Sequence, residues 1–353
     1  MTNFTETQDN NLKKTAVVIL NWNGRKFLED FLPGVVEHSI DYSDIYVADN
    51  NSSDCSLEFL ENNFPQVKII KLSENYGFAK GYNLALKQVD AEYYILLNSD
   101  VQVKDNWVAP LIDFLETNKD YAACQPKLLS YFNQDSFEYA GGAGGFIDKF
   151  GYPFCKGRVF NNIEKDNGQY DFNDEIFWAT GACLAIRAKL FHEQNGFDED
   201  FFAHMEEIDL CWRLKNQGHK IGYCYNSKVF HYGGGSLPKS SSFKTYLNMR
   251  NNLVMVYKNL NTKHINSMLF SRIILDLISS VKFLFAGGIK EFWAVPRAHY
   301  YFFKNLSKIK AKRKSLPHRE VTNVYRKSIV FAYFFKRKRY FSQLNSKDFT
   351  ANS

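Results

Sequence analysis

Thr15-Ala16-Val17-Val18-Ile19-Leu20 is an unbroken apolar, β-branched run that stops at Asn21-Trp22-Asn23-Gly24. A parallel strand buried on both faces needs such a run, because apolar side chains must meet the core on either side of the sheet. Helical spacing follows the turn to about Val36, and the unit then recurs. Asp44-Ile45-Tyr46-Val47-Ala48 reads as a second strand, Ser56-Leu57-Glu58-Phe59-Leu60 opens a helix, and Val67-Lys68-Ile69-Ile70-Lys71-Leu72 is a third strand. Tyr82 to Val89 has helical spacing, and Tyr93-Tyr94-Ile95-Leu96-Leu97 is a fourth strand. This alternation predicts an α/β fold with a doubly wound, mostly parallel sheet.

Polar motifs sit where these strands end. Asp49-Asn50-Asn51-Ser52-Ser53-Asp54 follows the second strand, Asn75-Tyr76-Gly77-Phe78-Ala79-Lys80-Gly81 the third, and Asn98-Ser99-Asp100 the fourth. Open α/β sheets bind ligands outside the carboxyl ends of their strands, so this row points to a nucleotide, its phosphates and a metal. A carboxylate at Asp49 is placed to accept from a base N–H or a ribose hydroxyl, with Asp54 as a helix cap. The glycines at 77 and 81 allow close backbone approach to a ligand and a tight entry into the helix, while Asn83 is equally a first-turn helix residue. Asp100 suits Mg²⁺ or Mn²⁺ bridging two phosphates, although a strand-ending Asp is as often a turn former.

Further along, Glu206-Glu207-Ile208-Asp209 opens a helix continuing Leu210-Cys211-Trp212-Arg213. The helix dipole and an Asp209–Arg213 pair explain part of this acidity. Three carboxylates between Phe201-Phe202 and Leu210-Trp212 ask for more, since crowding in an apolar site raises one pKa and makes a general base. His231, before Gly233-Gly234-Gly235-Ser236, is a structural residue or a metal or phosphate ligand.

The chain has 353 residues and a net charge of +6 that is unevenly spread. Residues 301–353 carry 14 Lys and Arg against 2 acidic residues, leaving a net of −6 on the rest. A basic tail on an acidic body implies an anionic partner, membrane or nucleic acid. The first dozen residues lack the apolar core of a signal peptide, so the expected location is cytoplasmic. Six scattered cysteines, with no C-x-x-C pair, read as reduced buried thiols.

Residues 131–175, rich in Gly, Asn and aromatics, predict a loop-rich insertion with short antiparallel strands over the site. Beyond about residue 240 the strand signals vanish and helical pattern takes over. The expected organisation is a polar segment 1–13, a catalytic domain 14–240 divided near 105, and a basic helical region 241–353. Within Met268–Ala286, Arg272, Asp276, Ser279 and Ser280 share one side of a helical wheel, and Phe270, Ile274, Leu277, Ile278, Val281 and Phe285 lie opposite. Two readings stay open: a helix packed on the domain's own core, or one lying in a bilayer interface on the inner face of the cytoplasmic membrane. Flanking aromatics and the basic runs 308–314 and 336–339 favour the interface.

Taken together, the motifs resemble the family 2 inverting glycosyltransferases of the GT-A fold, over about residues 14–255. Within that family the chain looks most like the rhamnosyltransferase-type branch that builds bacterial surface polysaccharides. The resemblance implies that Asn21 and Asp49 contact the nucleoside, and that Asn75, Gly77, Asn83 and Asn98 lie along the donor. Asp100 stands at the metal-binding end of an Asp-x-Asp motif whose first position here is Asn98, and His231 matches a metal-liganding His of some relatives. Trp178, Thr180, Gly181 and Asp209 fall on the acceptor side. Glu207 occupies the base position, usually Asp, with Glu206 competing. The implied reaction moves a sugar from a dTDP- or UDP-linked donor, dTDP-rhamnose first, to a saccharide or lipid-linked acceptor, with Mg²⁺ or Mn²⁺ as cofactor. A homodimer is a candidate assembly, and no nucleic-acid partner is expected.

Two rivals make different demands. A sugar-nucleotide nucleotidyltransferase wants a Gly-rich, basic phosphate loop after the first strand, and Asn21-Trp22-Asn23-Gly24-Arg25 is a poor match. A non-catalytic membrane-binding relative has no use for the acidic constellation.

Overall fold

The computed structural model describes residues 14–233 and 241–351. The polar segment 1–13 and the glycine run from Gly234 to Ser236 therefore lie outside the described residues. In chain order the first half runs β1 (Thr15–Asn21), α1 (Arg25–Glu37), β2 (Asp44–Asp49), α2 (Ser56–Asn63), β3 (Lys68–Lys71), α3 (Gly77–Leu86), β4 (Tyr93–Asn98), β5 (Val101–Val103), α4 (Ala109–Thr117) and β6 (Tyr121–Ser130). Four short strands follow, β7 (Gly145–Asp148), β8 (Pro153–Cys155), β9 (Arg158–Val159) and β10 (Asn162–Ile163). Then come β11 (Asp174–Ile176), β12 (Cys183–Arg187), α5 (Ala188–Glu193), α6 (Glu206–Asn216) and β13 (Lys220–His231). The C-terminal part holds α7 (Ser242–Asn259), α8 (Ile265–Gly287), α9 (Ile289–Lys304), α10 (Leu306–Lys314), β14 (Val324–Tyr325) and α11 (Ile329–Phe334).

The main sheet has nine strands in the order β11-β13-β6-β12-β4-β1-β2-β3, with β5 pairing β13. Strands β3, β2, β1 and β4 run parallel, β12 inserts antiparallel beside β4, and β13 returns parallel to β6. Val17, Val18, Ile95, Leu96 and Leu97 are fully buried, as a sheet covered on both faces requires. The sheet is the expected doubly wound one. Helix α3 departs from expectation by starting at Gly77, five residues early, because Gly77 adopts φ +73° and turns the chain directly into the helix.

The insertion forms a second sheet, β10-β9-β8-β7-β14, antiparallel except where β14 lies parallel to β7. The C-terminal region is helical as expected and adds one short strand to this sheet, where Val324 pairs Ile147 and Tyr325 pairs Asp148. The two-residue strand carries no periodic signal of its own and exists only because β7 offers an edge. Residue 240 is no boundary in the core either. Leu253, Met255, Phe302 and Ile329 share one buried cluster with Val18 and Leu96.

Helix α8 has the expected amphipathic pattern, and of the two orientations left open by the sequence it takes the one with the apolar side outward. Arg272, Asp276 and Ser280 are buried, and Phe270, Ile278 and Phe285 are exposed. Arg272 Nε donates to Asp276 Oδ1 at 2.8 Å and one terminal nitrogen to the Phe150 carbonyl at 2.7 Å. Tyr152 Oη donates to Asp276 Oδ1 at 2.8 Å, and His299 Nε2 lies 3.3 Å from Oδ2. Burial is the largest influence and works to raise the Asp276 pKa, but the Arg272 charge and the hydrogen bonds of His299, Arg272 and Tyr152 together outweigh it and hold the carboxyl below its usual value.

Removing one partner of such a pair leaves a buried charge alone. Asp276→Ala should therefore cost about 3–5 kcal/mol in urea unfolding, whereas the paired Arg272→Met/Asp276→Leu change should recover most of that loss.

Candidate functional site

Strand register assembles the site. Asn21 pairs Asp49 across β1 and β2, and Leu20 pairs Asn98 across β1 and β4. Three motifs distant in sequence thus end side by side. Asn21 Nδ2 donates to Asp49 Oδ1 at 3.1 Å and to Ser52 Oγ at 3.2 Å, and the Ser52 amide donates to Asp49 Oδ2 at 2.9 Å. Asn50 knits in the next motif: its Nδ2 lies 3.1 Å from both Asn75 Oδ1 and the Gly77 carbonyl, and it accepts from the Tyr76 amide at 3.0 Å. Asn50 was legible only as a turn former, and the structure makes it the joint between two motifs.

Gly77 does make a close approach, but to the protein rather than to a ligand. A Cβ there would stand 2.5 Å from the Phe202 ring and 2.8 Å from the Phe202 carbonyl oxygen. That oxygen accepts from the Phe78 and Ala79 amides at 2.7 and 3.1 Å. The first amides of α3 are thereby satisfied and not left for a phosphate.

The segment Phe202–Met205 is held in an unusual backbone. Phe202, His204 and Met205 have φ of +64°, +70° and +73°, a region that costs a non-glycine residue about 1–3 kcal/mol. Helix α7 supplies the restraint. Asn251 Nδ2 lies 2.9, 2.9 and 2.7 Å from the Phe201, Ala203 and His204 carbonyl oxygens. Arg250 donates to the Asp200 and Phe201 carbonyls at 3.0 and 2.8 Å. Lys312 adds ion pairs to Asp198 and Asp200, so part of the basic tail is neutralised internally. The only sequence trace of this clamp is the polar triplet Arg250-Asn251-Asn252 just before the apolar run Leu253–Val256.

The clamped loop delivers Glu206 and Glu207 at the start of α6. Glu206 is buried, Glu207 half-buried, and Oε2 of each lacks a hydrogen-bond partner. Burial, and then the neighbouring Glu207, pushes Glu206 well above the carboxylate range; burial pushes Glu207 up to about 7. Glu207 sits beside Gly181, where an added Cβ would meet its Cγ at 3.8 Å and the Phe78 ring at 3.3 Å. Gly181 in turn borders the β4 end, because the Asn98 amide donates to the Ala182 carbonyl at 3.0 Å.

Asp100 and His231 are brought together across 131 residues by β5 and β13, which pair Val101 with His231. His231 Nε2 lies 3.2 Å from Asp100 Oδ1, and Nδ1 faces Glu138 Oε1 at 3.4 Å, long for a hydrogen bond. Burial works against the charged imidazole, but Asp100 and Glu138 outweigh it and push the pKa to about 10. Glu138 was hidden in the insertion and gave no sequence signal. A cation that displaces the imidazole proton would meet the Asp100 carboxylate and a neutral His231 nitrogen, a donor set that suits Mn²⁺ or Mg²⁺. No group of three or more His, Cys, Asp and Glu that could hold a metal gathers among the described residues, so phosphate oxygens and water would have to complete the shell, as is usual for a cation on a nucleotide.

Four expected ligand contacts turn out to be structural. Asn83 holds the 197–199 loop, through Phe197 N at 2.9 Å and the Phe197 carbonyl at 2.9 Å. Trp178 is buried, with Nε1 donating to the Phe146 carbonyl at 3.0 Å and its ring against Gly145. Thr180 Oγ1 donates to the Ala140 carbonyl at 2.9 Å. Asp209 is fully buried and held by Arg213, Lys258 and Asn259 at 2.8, 2.8 and 2.7 Å, so it has no free face for an acceptor.

Residues 16–193 match glycosyl transferase family 2, and the chain belongs to that family: it is a glycosyltransferase. It is 22% identical over 258 residues to the low-salt glycan biosynthesis hexosyltransferase Agl10 of Haloferax volcanii, spanning 70% of this chain and 77% of that protein. It is 24% identical over 234 residues to the N-acetylglucosaminyl-diphospho-decaprenol L-rhamnosyltransferase of Mycobacterium tuberculosis, spanning 61% of this chain and 75% of that protein. A crystal structure of GalNAc-T7 with UDP, GalNAc and Mn²⁺ superposes with a TM-score of 0.57 at 16% identity, over 84% of this chain and 58% of that one. The shared fold is the GT-A-type α/β sheet.

The clamp gives a direct test. Asn251→Ala leaves the Ala203 and His204 carbonyls without their side-chain donor, while Arg250 still serves Phe201, and should cost about 1–3 kcal/mol in thermal unfolding. Where both proteins remain folded, sugar transfer should fall by up to about 10²-fold through misplacement of Glu207.

Proposed function

We propose that the chain is an inverting transferase that moves a sugar, rhamnose from dTDP-rhamnose, to a lipid-linked saccharide in envelope polysaccharide synthesis. The observation that carries this reading is Glu207. It is a half-buried carboxylate with one oxygen unpartnered and a pKa near neutrality, standing beside Gly181 next to the strand end that bears Asn98 and Asp100. A base near pH 7 is what proton abstraction from an acceptor hydroxyl needs. Glu206 is the poorer candidate, because its deeper burial holds it protonated.

In this reading Asp49, steadied by Asn21 and Ser52, accepts from the N–H of a pyrimidine base. Asn75 and Asn98 border the donor. Asp100 and His231, steadied by Glu138, would hold Mg²⁺ or Mn²⁺, which would supply the positive charge that a departing nucleoside diphosphate needs. The acceptor hydroxyl loses its proton to Glu207 while its oxygen bonds to the anomeric carbon. The bond to the diphosphate oxygen breaks on the opposite face, so one displacement inverts the centre and no sugar–enzyme bond forms. The name of the mycobacterial relative, an L-rhamnosyltransferase acting on a decaprenyl diphosphate sugar, supports the choice of donor sugar and acceptor class. The GalNAc-T7 structure with UDP and Mn²⁺ supports a nucleotide sugar and a divalent ion.

Nucleoside diphosphate release from a panel of nucleotide sugars tests the reading. Glu207→Gln should keep donor affinity and lose about 10²–10⁴-fold in kcat. Because the base works ionised, the wild-type rate should climb as pH rises through about 7 and level off above it. A Glu206→Gln protein that is dead beside a fully active Glu207→Gln would reverse the assignment.

EDTA should silence transfer and added Mn²⁺ restore it, with Asp100→Ala unresponsive to either. Calorimetry should show tighter binding of dTDP than of UDP, and a clear preference for UDP would count against the rhamnose donor.

A further inference from the structure

A helix on a protein surface normally turns its polar side to water and its apolar side to the core. Helix α8 does the reverse. Its polar stripe of Arg272, Asp276 and Ser280 is at most 1% exposed, while Phe270, Ile278 and Phe285 are 68%, 63% and 85% exposed. The protein therefore fills the polar side with Tyr152, His299 and the Phe150 carbonyl and leaves the apolar side outward. Neighbouring elements enlarge this face. Trp293 of α9 and Phe331 and Phe334 of α11 are exposed, and Lys282 Nζ bridges α8 to α11 by lying 4.8 Å over the Phe334 ring. Scattered apolar residues are ordinary on a surface, but a continuous apolar face of this kind marks an interaction site.

We propose that the outward face of α8, continued by α9 and α11, is a docking surface for an anionic lipid bilayer. Charge selects this occupant over a second copy of the chain. Between Ile265 and Tyr340 the acidic residues are Asp276, Glu291 and Glu320, and Asp276 is buried in its own ion pairs. The exposed bases Lys282, Lys290, Lys336 and Arg337 lie along the same elements. A two-fold contact through this face would set like charges against each other. An anionic leaflet instead attracts them while the apolar side chains enter the headgroup boundary, the pair of signals that stable peripheral binding requires. Trp293 and Tyr300, both exposed, suit that boundary, being apolar rings with a polar edge. Among the described residues no helix is long and apolar enough to cross a membrane, so the face lies on the bilayer rather than through it. The inference deepens the lipid-linked acceptor proposed above, and it is tested without sugar donor or acceptor, so the two fail separately.

The test is sedimentation of the full chain with vesicles of phosphatidylglycerol mixed with phosphatidylcholine, and with phosphatidylcholine alone, at low and high salt. The wild type should pellet with the mixed vesicles, less so at high salt and least with phosphatidylcholine alone. Ile278→Glu/Phe285→Glu changes only exposed side chains. It should keep the wild-type circular dichroism while binding vesicles about tenfold more weakly, or worse. Lys336→Gln/Arg337→Gln should lose part of the salt-sensitive component. Wild-type protein that stays in the supernatant at low salt overturns the proposal, as does a Glu double variant that binds normally. A wild-type dimer that the Glu variant turns into a monomer, with no vesicle binding, would assign the face to a second copy and also overturn it.

Discussion

The Phe202 carbonyl is the contact on which the site depends. It accepts from the first amides of α3, so it fixes the glycine motif, and it belongs to the strained loop that feeds Glu206 and Glu207 into α6. The glycine motif and the carboxylate pair, the proposed donor and base sides of the site, are therefore positioned by one peptide group. Such a backbone does not persist without restraint, and Asn251 and Arg250 reach across from α7 to supply it. Helix α7 is in this sense part of the framework of the proposed site, through the side chains of Arg250 and Asn251.

Burial is used in two opposite ways around this framework. At Asp209 and Asp276 the charge is enclosed and matched by cations, which leaves nothing for chemistry. At Glu207 the carboxylate is enclosed and left unmatched, so the proton is held to a higher pH and becomes available for exchange. Two carboxylates on one turn of α6, two positions apart, thus acquire different roles from their partners alone.

Much of the sheet was legible because parallel strands buried on both faces leave uninterrupted runs such as Val17–Leu20 and Ile95–Leu97, and Asp49 and Asp100 could be placed from where those runs stop. Composition did not reveal which polar side chains turn inward. Asn83, Trp178 and Thr180 look like site residues in sequence and serve the fold, because the partner that occupies each lies some 30 to more than 100 residues away. Glu138 and Asn251 show the converse. Each acts through a contact made only after the chain has closed on itself, and neither sits in a motif. For α8 the wheel gave the two faces correctly, but which one meets the protein depended on Tyr152 and His299, which no local pattern reports.

The pairing of β14 with β7 carries a consequence for biosynthesis. Ile147 and Val324 lie about 180 residues apart, and Ile329 donates its amide to Asp148 across a similar gap. At 5–20 residues per second a ribosome needs roughly 10–35 s to supply the missing strand after β7 has emerged. Throughout that interval the small sheet has an open edge while the nucleotide half already possesses its four parallel strands. Closure of so long a loop is slow. The nascent chain therefore passes through a stage in which its second sheet still offers an edge to chaperones or to other copies.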